Sequence, residues 1–230
     1  MENIYQSGEY LRNNPTWHAE DSPWKAKQIL KLFERNELKP YTVCEFGCGA
    51  GEILNQLCLQ MPGDVSFAGY EISPQAFELC QIRKNERLHF YLKNLLEDEN
   101  ACFDVILAID VFEHIEDYIG FLKKLHGKGS YKVFHIPLDL SVQTILRGSI
   151  LKERQTVGHI HFFTKETAME TLKDAGYEII DYFYTASSID LPAKSFKSSL
   201  AKLPRKVMFK LNKDMAVRVL GRYSLMVLTK

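Results

Sequence analysis

The short run from Tyr41 to Phe46 reads as a buried strand that breaks directly into Gly47-Cys48-Gly49-Ala50-Gly51. Apolar positions then resume at helical spacing with Ile53, Leu54, Leu57 and Cys58. A strand turning through glycines into a helix presents backbone N–H groups at the carboxyl edge of a sheet, where open α/β folds bind ligands. The glycines fall as G-x-G-x-G, with Glu52 where a dinucleotide fingerprint has its last glycine.

The rest of the chain keeps alternating strand and helix. Ala26, Ile29, Leu30 and Phe33 mark a first helix from Ser22-Pro23 to before Lys39-Pro40. Val65 to Ile72 is a second strand, and Ser73-Pro74 opens a helix reaching about Lys84. His89 to Leu92 and the apolar run Phe103 to Ile109 are the third and fourth strands, the latter central. A helix with Ile115, Tyr118, Ile119, Leu122 and Leu125 on one face then stops at the Gly127 to Gly129 turn. Tyr131 to Pro137 is the fifth strand, followed by an irregular stretch from Ser141 to Gly158 and a helix from Thr164 to Gly176. Tyr177 to Thr185 and Ser224 to Thr229 complete the set. The expectation is a doubly wound, mostly parallel seven-stranded sheet with helices on both faces and an antiparallel last strand. One domain is expected over 1–230, with a lid and first helix in 1–38 and a core in 39–185. A basic helical insert follows in 186–222, and the last strand in 223–230.

Charge separates the possible ligands. Glu45 and Glu52 flank the glycines, so a pyrophosphate of about two negative charges would be repelled, whereas a sulfonium with a protonated amine would be attracted. Glu71 ends the second strand roughly 20 residues after the glycines, where such folds hydrogen-bond ribose hydroxyls.

Val43 to Gly51, Gly69-Tyr70-Glu71-Ile72-Ser73 and Phe103 to Ile115, in that order and spacing, resemble the Rossmann-like methyltransferase superfamily in its small-molecule branch. The resemblance spans roughly Tyr41 to Tyr184 and extends to His159-Ile160-His161-Phe162-Phe163-Thr164. It implies S-adenosylmethionine as cofactor and S-adenosylhomocysteine as product. By position it assigns Glu45, Gly47, Cys48, Gly49 and Gly51 to the methionine end, and Glu71 with Ile72 to the ribose. Asn94 and Leu95 fall beside the adenine, although the family usually has an acid where Asn94 stands. Asp110 ends the fourth strand at the junction of cofactor and acceptor, with Val111 and Phe112 as pocket walls. Trp17, His18, Asp21 and Trp24 lie where the superfamily folds a lid.

Asp110, His114 and His159 are the candidate catalytic groups, His114 as a base or as the pin of the Glu113-His114 turn and His159 as a base or another group of the substrate pocket. His159 and His161 alternate as in a strand, but no carboxylate stands beside them at ligand spacing, so no metal is expected. O-methylation of a small-molecule or glycan-type acceptor is favoured over N-methylation. Asp110-Val111-Phe112-Glu113 stands where nucleobase enzymes carry an Asn/Asp-Pro-Pro-aromatic signature, so no nucleic acid is expected as partner. The rivals are a nicotinamide-dependent oxidoreductase and a non-catalytic protein that binds S-adenosylmethionine.

Basic and acidic residues balance at 29 each, which as a whole points to neither nucleic acid nor membrane. The balance is uneven, because the chain from Lys194 onward holds ten basic residues and one acid. Either its lysines face water while Leu200, Leu203, Val207, Met208 and Leu211 pack on the sheet, or 194–222 attracts an anionic acceptor or touches a membrane surface weakly. With no signal-like start at Met1 to Tyr5 and no spanning apolar run, a cytoplasmic location is expected. Five cysteines without C-x-x-C spacing read as buried or half-buried reduced thiols.

Overall fold

The computed structural model describes residues 11–230 apart from 13, 18 and 193–195, and for 196–201 the backbone alone. His18, Lys194, the first ten residues and the side chains of Lys197 and Leu200 lie outside the described residues.

The elements follow the alternation. They are α1 (Ser22–Arg35), β1 (Thr42–Phe46), α2 (Glu52–Gln60), β2 (Ser66–Glu71), α3 (Pro74–Cys80), β3 (Leu88–Leu92) and β4 (Phe103–Ile109). Next come α4 (Tyr118–His126), β5 (Gly129–Leu138), α5 (Val142–Leu146), α6 (Ile150–Thr156), α7 (Lys165–Asp174) and β6 (Ile179–Thr185). The single turn α8 (Ser187–Asp190), α9 (Phe196–Leu211), α10 (Lys213–Leu220) and β7 (Tyr223–Thr229) finish the chain. The sheet order is β3-β2-β1-β4-β5-β7-β6. β1 to β5 pair in parallel, and β7 runs antiparallel to both β5 and β6.

Strand side chains alternate between two apolar layers. Val105, Leu107 and Ile109 of β4 join α1 and α2 on one face, while Ile106 and Ala108 join α4, α7 and α10 on the other. That double burial is why β4 reads as an unbroken apolar run. Helix starts are fixed by side chains. Ser73 caps α3 by accepting from the Ala76 N–H, with Pro74 in the first turn. Thr164 and Thr167 form a reciprocal box at the start of α7.

Three expectations are corrected. The helix expected near Ile115 begins at Tyr118, capped by Asp117, because Phe112–His114 forms a separate 3-10 turn. The irregular stretch after Ser141 resolves into α5 and α6. Of the apolar positions expected to pack from the insert, Met208 does, joined by Phe209, whereas Leu203, Val207 and Leu211 are exposed and the side chain of Leu200 is not described. Four cysteines are buried, but Cys102 is exposed. No helix among the described residues is long and apolar enough to cross a membrane.

Thr164→Ala removes one half of the α7 box and is expected to lower stability by about 1 kcal/mol. Urea unfolding checks this, and an unchanged midpoint would show that the cap contributes nothing.

Candidate active site

Gly47, Gly49 and Gly51 have φ of 66°, 54° and 74°, so the chain between β1 and α2 alternates in and out of the left-handed region. The loop is stitched to the end of β2. The Gly47 and Cys48 N–H groups both donate to the Tyr70 carbonyl, at 2.8 and 3.1 Å. The Gly49 N–H donates to one Glu71 oxygen at 2.8 Å, while the other accepts from the Ile72 and Ser73 N–H groups, each at 2.8 Å. Burial raises the Glu71 carboxyl above its ordinary value, against the pull of these three donors.

A cavity of about 950 Å³ opens over this loop. Glu45, Gly47, Cys48, Gly49, Glu71, Ile72, Asn94, Leu95, Asp110 and His114 all line it. Glu45 is 2% exposed, and its Oε2 has no hydrogen-bond partner among the described residues. Burial pushes its carboxyl well above the ordinary value, Lys25 opposing and Glu71 and Asp110 adding. A buried carboxylate oxygen without a donor suits a cationic ligand group, so these residues fit a sulfonium cofactor with an amine.

Gly51 is not in the lining. A Cβ there would stand 2.5 Å from the Phe90 ring and 2.9 Å from Cys80, so this glycine serves close helix–sheet packing. A Cβ on Gly49 would instead stand 2.6 Å from Trp17, which also lines the cavity and covers the loop from the N-terminal side. Glu52 lines the cavity too, but Arg83, Gln56 and Asn55 bind its carboxylate. Of the two acids flanking the loop, only Glu45 has a carboxyl oxygen without a hydrogen-bond partner among the described residues. The Asn94 oxygen accepts from the Leu96 N–H at 3.0 Å, capping the turn after β3.

Asp110 sits with φ of 55° at the end of β4. Its carboxylate meets Lys25 Nζ at 2.7 Å and His135 Nδ1 at 2.6 Å, and His135 Nε2 meets the Thr185 hydroxyl at 2.8 Å. Burial favours the neutral acid, but His135 and Lys25 overcome it and hold Asp110 well below the ordinary carboxylate range. Asp110 and Lys25 also line a second cavity of about 330 Å³, with Trp24, His135, Glu153 and His159 among its walls. The two cavities meet at Asp110.

His159 and His161 do not share a face. Residues 158–164 have no regular secondary structure, and the two rings part. His159 Nδ1 lies 2.7 Å from an Asp139 oxygen, whereas His161 Nε2 lies 2.9 Å from the Ile115 carbonyl. His114 Nδ1 lies 3.1 Å from the Gly158 carbonyl, and burial together with the His159 ring pushes its pKa down to about 4. Sequence spacing found the histidines but missed Lys25, Asp139 and the role of His135, whose partners are distant along the chain.

A glycine loop tied to an acidic strand end, under a parallel sheet closed by an antiparallel last strand, defines the class of S-adenosylmethionine-dependent methyltransferases. Residues 17–182, more than half of the chain, match the family described as Methyltransferase domain, and the chain belongs to it. That removes the oxidoreductase and non-catalytic rivals. The tRNA N(3)-methylcytidine methyltransferase trm141 of Schizosaccharomyces pombe is 24% identical in an alignment 195 positions long that covers 75% of this chain and 78% of that protein. Magnesium protoporphyrin IX methyltransferase (ChlM) from Synechocystis PCC 6803, solved with bound SAH, superposes with a TM-score of 0.61 at 14% identity. The alignment covers 90% of this chain and 82% of that one. A putative sarcosine dimethylglycine methyltransferase from Galdieria sulphuraria gives a TM-score of 0.63 at 14% identity, over 89% and 83% of the two chains.

Two glycine substitutions separate ligand from packing. Gly49→Val should leave circular dichroism native but weaken S-adenosylhomocysteine binding by about a hundredfold, roughly 2.7 kcal/mol. Both put a Cβ on a left-handed residue and should lower the melting temperature, but Gly51→Ala, whose Cβ meets Phe90 and Cys80 away from the cavity, should do so without a comparable loss of affinity. Calorimetry and thermal melts of both check this, and Gly49→Val binding at the parent affinity would contradict it.

Proposed function

We propose that this chain transfers the methyl group of S-adenosylmethionine to a hydroxyl of a small-molecule or glycan-type acceptor. One observation carries the reading: a single cavity runs from the glycine loop and Glu71 to Asp110 and His114, and meets a second cavity there. Bound S-adenosylmethionine supplies a methyl group on a sulfonium, already a good leaving group. The protein's work is therefore mainly to align donor and acceptor and keep water out.

In this reading Glu45 and the backbone of Gly47, Cys48 and Gly49 hold the methionine end, Glu71 and Ile72 the ribose, and Asn94 and Leu95 the adenine. Gly51 supports them from behind. Asp110, kept ionised by Lys25 and His135, sets a fixed negative charge where the cavities meet. The smaller cavity receives the acceptor, beside His159 and across from His114. Trp17 closes the cofactor end.

The insert bears on where the acceptor is met. None of the described residues after Lys194 other than Ser224 lines either cavity, so the basic residues do not shape the acceptor pocket directly. Lys202 is bound to the Ile189 and Leu191 carbonyls, and Arg205 to those of Leu220 and Gly221. Leu203, Val207 and Leu211 recur every four residues on α9 and stand 68%, 51% and 81% exposed, with Lys206, Lys210 and Lys213 exposed among them. An apolar stripe edged by lysines complements an anionic lipid surface. The insert thus rests on such a surface and brings the active site to acceptors presented there.

Incubating the protein with methyl-labelled S-adenosylmethionine and separate panels of hydroxylated, amine and tRNA acceptors tests the reaction. Label recovered as an O-methyl group is expected, and label confined to tRNA bases would overturn the acceptor class. For the insert, vesicle flotation should recover the protein with phosphatidylglycerol but not with phosphatidylcholine alone, and less at high salt. Leu203→Glu with Val207→Glu should abolish recovery without changing S-adenosylhomocysteine affinity. Flotation that is equal on both lipids, or unchanged in the variant, would return the stripe to a solvated helix face.

A further inference from the structure

Glu113 is 1% exposed, yet neither of its carboxylate oxygens has a hydrogen-bond partner among the described residues. A buried carboxylate left this way is costly unless something cationic completes it. Two imidazoles stand beside it. His114 Nε2 lies 3.9 Å from Glu113 Oε1, and the His159 ring meets the His114 ring edge-on with centroids 4.8 Å apart. One ligand atom from each of the three residues lies within 4.8 Å of the others. The segment carrying His159 is pinned there by the backbone, because the Ile160 and His161 N–H groups both donate to the Glu113 carbonyl, at 2.9 and 3.1 Å.

The partners on the far side of each ring orient the near side. His114 Nδ1 faces the Gly158 carbonyl and His159 Nδ1 faces the Asp139 carboxylate. Both contacts favour a proton on Nδ1 and leave Nε2 as the ligand nitrogen, as where metal-bound histidines are held by an outer carbonyl or carboxylate, and His114 Nε2 is the atom that lies beside Glu113. Because Asp139 comes twenty residues before His159 and Glu113 sits on another turn, local spacing gave no sign of this set.

We propose that Glu113, His114 and His159 bind a divalent first-row transition cation, placed between the two cavities so that it also takes a hydroxyl of the acceptor. Two imidazoles and one carboxylate suit manganese, iron, cobalt or zinc better than magnesium or calcium, which take oxygen sets. Three protein donors leave coordination positions open, as catalytic rather than structural sites do. Donors about 2.1 Å from a common cation stand roughly 3 to 3.5 Å apart, so the set draws together by about an ångström on loading. His114 lines the larger cavity and His159 the smaller, so the open positions face the place where donor and acceptor meet.

The catalytic part of this inference rests on the O-methylation reading. A cation there lowers the pKa of the acceptor hydroxyl. The hydroxyl proton leaves to solvent water, the oxygen lone pair forms the new O–CH₃ bond, and the S–CH₃ pair stays on sulfur to give S-adenosylhomocysteine.

The test uses the whole chain, stripped with chelator and titrated with CoCl₂ while visible absorption and heat are followed. One cobalt per chain, with a d–d spectrum of nitrogen and oxygen donors, is expected. Asp139→Asn should weaken cobalt binding roughly 10- to 100-fold, and His159→Ala or Glu113→Gln by at least as much. S-adenosylhomocysteine calorimetry on the same samples shows that each variant is folded. Cobalt binding absent from the parent, or equal in parent and His159→Ala, overturns the site. O-methyl transfer undiminished after chelation overturns the cation's role but leaves the acceptor class standing. A cobalt site without any O-methyl product leaves the site standing but overturns the acceptor class and, with it, the cation's role in the reaction.

Discussion

The Glu71 carboxylate holds two turns at once. One oxygen fixes Gly49 of the loop after β1, and the other fixes the start of the turn into α3. With the Gly47 and Cys48 N–H groups on the Tyr70 carbonyl, these bonds make the carboxyl ends of two neighbouring parallel strands into one rigid rim. Left-handed glycines suit this turn because, without a Cβ, they take positive φ at little steric cost while the N–H groups of Gly47 and Gly49 stay aimed at β2. The cavity floor is therefore backbone, shaped before any ligand arrives.

A second chain of polar contacts runs across the site. Lys25 of α1 meets Asp110 at the end of β4, Asp110 meets His135 of β5, and His135 meets Thr185 of β6. The N-terminal helix is thereby tied to strands on both sides of β7 by groups that would be costly to bury singly. Asp110 stays charged inside this chain because both of its partners donate to it. The same residue separates the two cavities, so the site's polarity and its partition have one origin.

Much of this was legible in the residues. The apolar run of β4 and the glycines after β1 are local patterns, and each fell where its pattern put it, with strand ends moving by a residue or two. Capping by Ser73 and Thr164 was likewise local. What spacing could not show was pairing at a distance. Asp139 with His159, Lys25 with Asp110 and Arg83 with Glu52 join residues brought together only by the sheet order. Helical spacing in α9 placed Met208 against the core but did not tell it from Leu203, Val207 and Leu211, because an apolar position has the same period whether it meets a core or faces outward.

Whether a cofactor rim is built on Glu71 is read by titrating S-adenosylhomocysteine into the parent and Glu71→Ala by calorimetry. The variant is expected to remain folded and to lose roughly 1.5 to 3 kcal/mol of binding free energy, the worth of hydrogen bonds to a charged group. Equal affinity in the two proteins would contradict it.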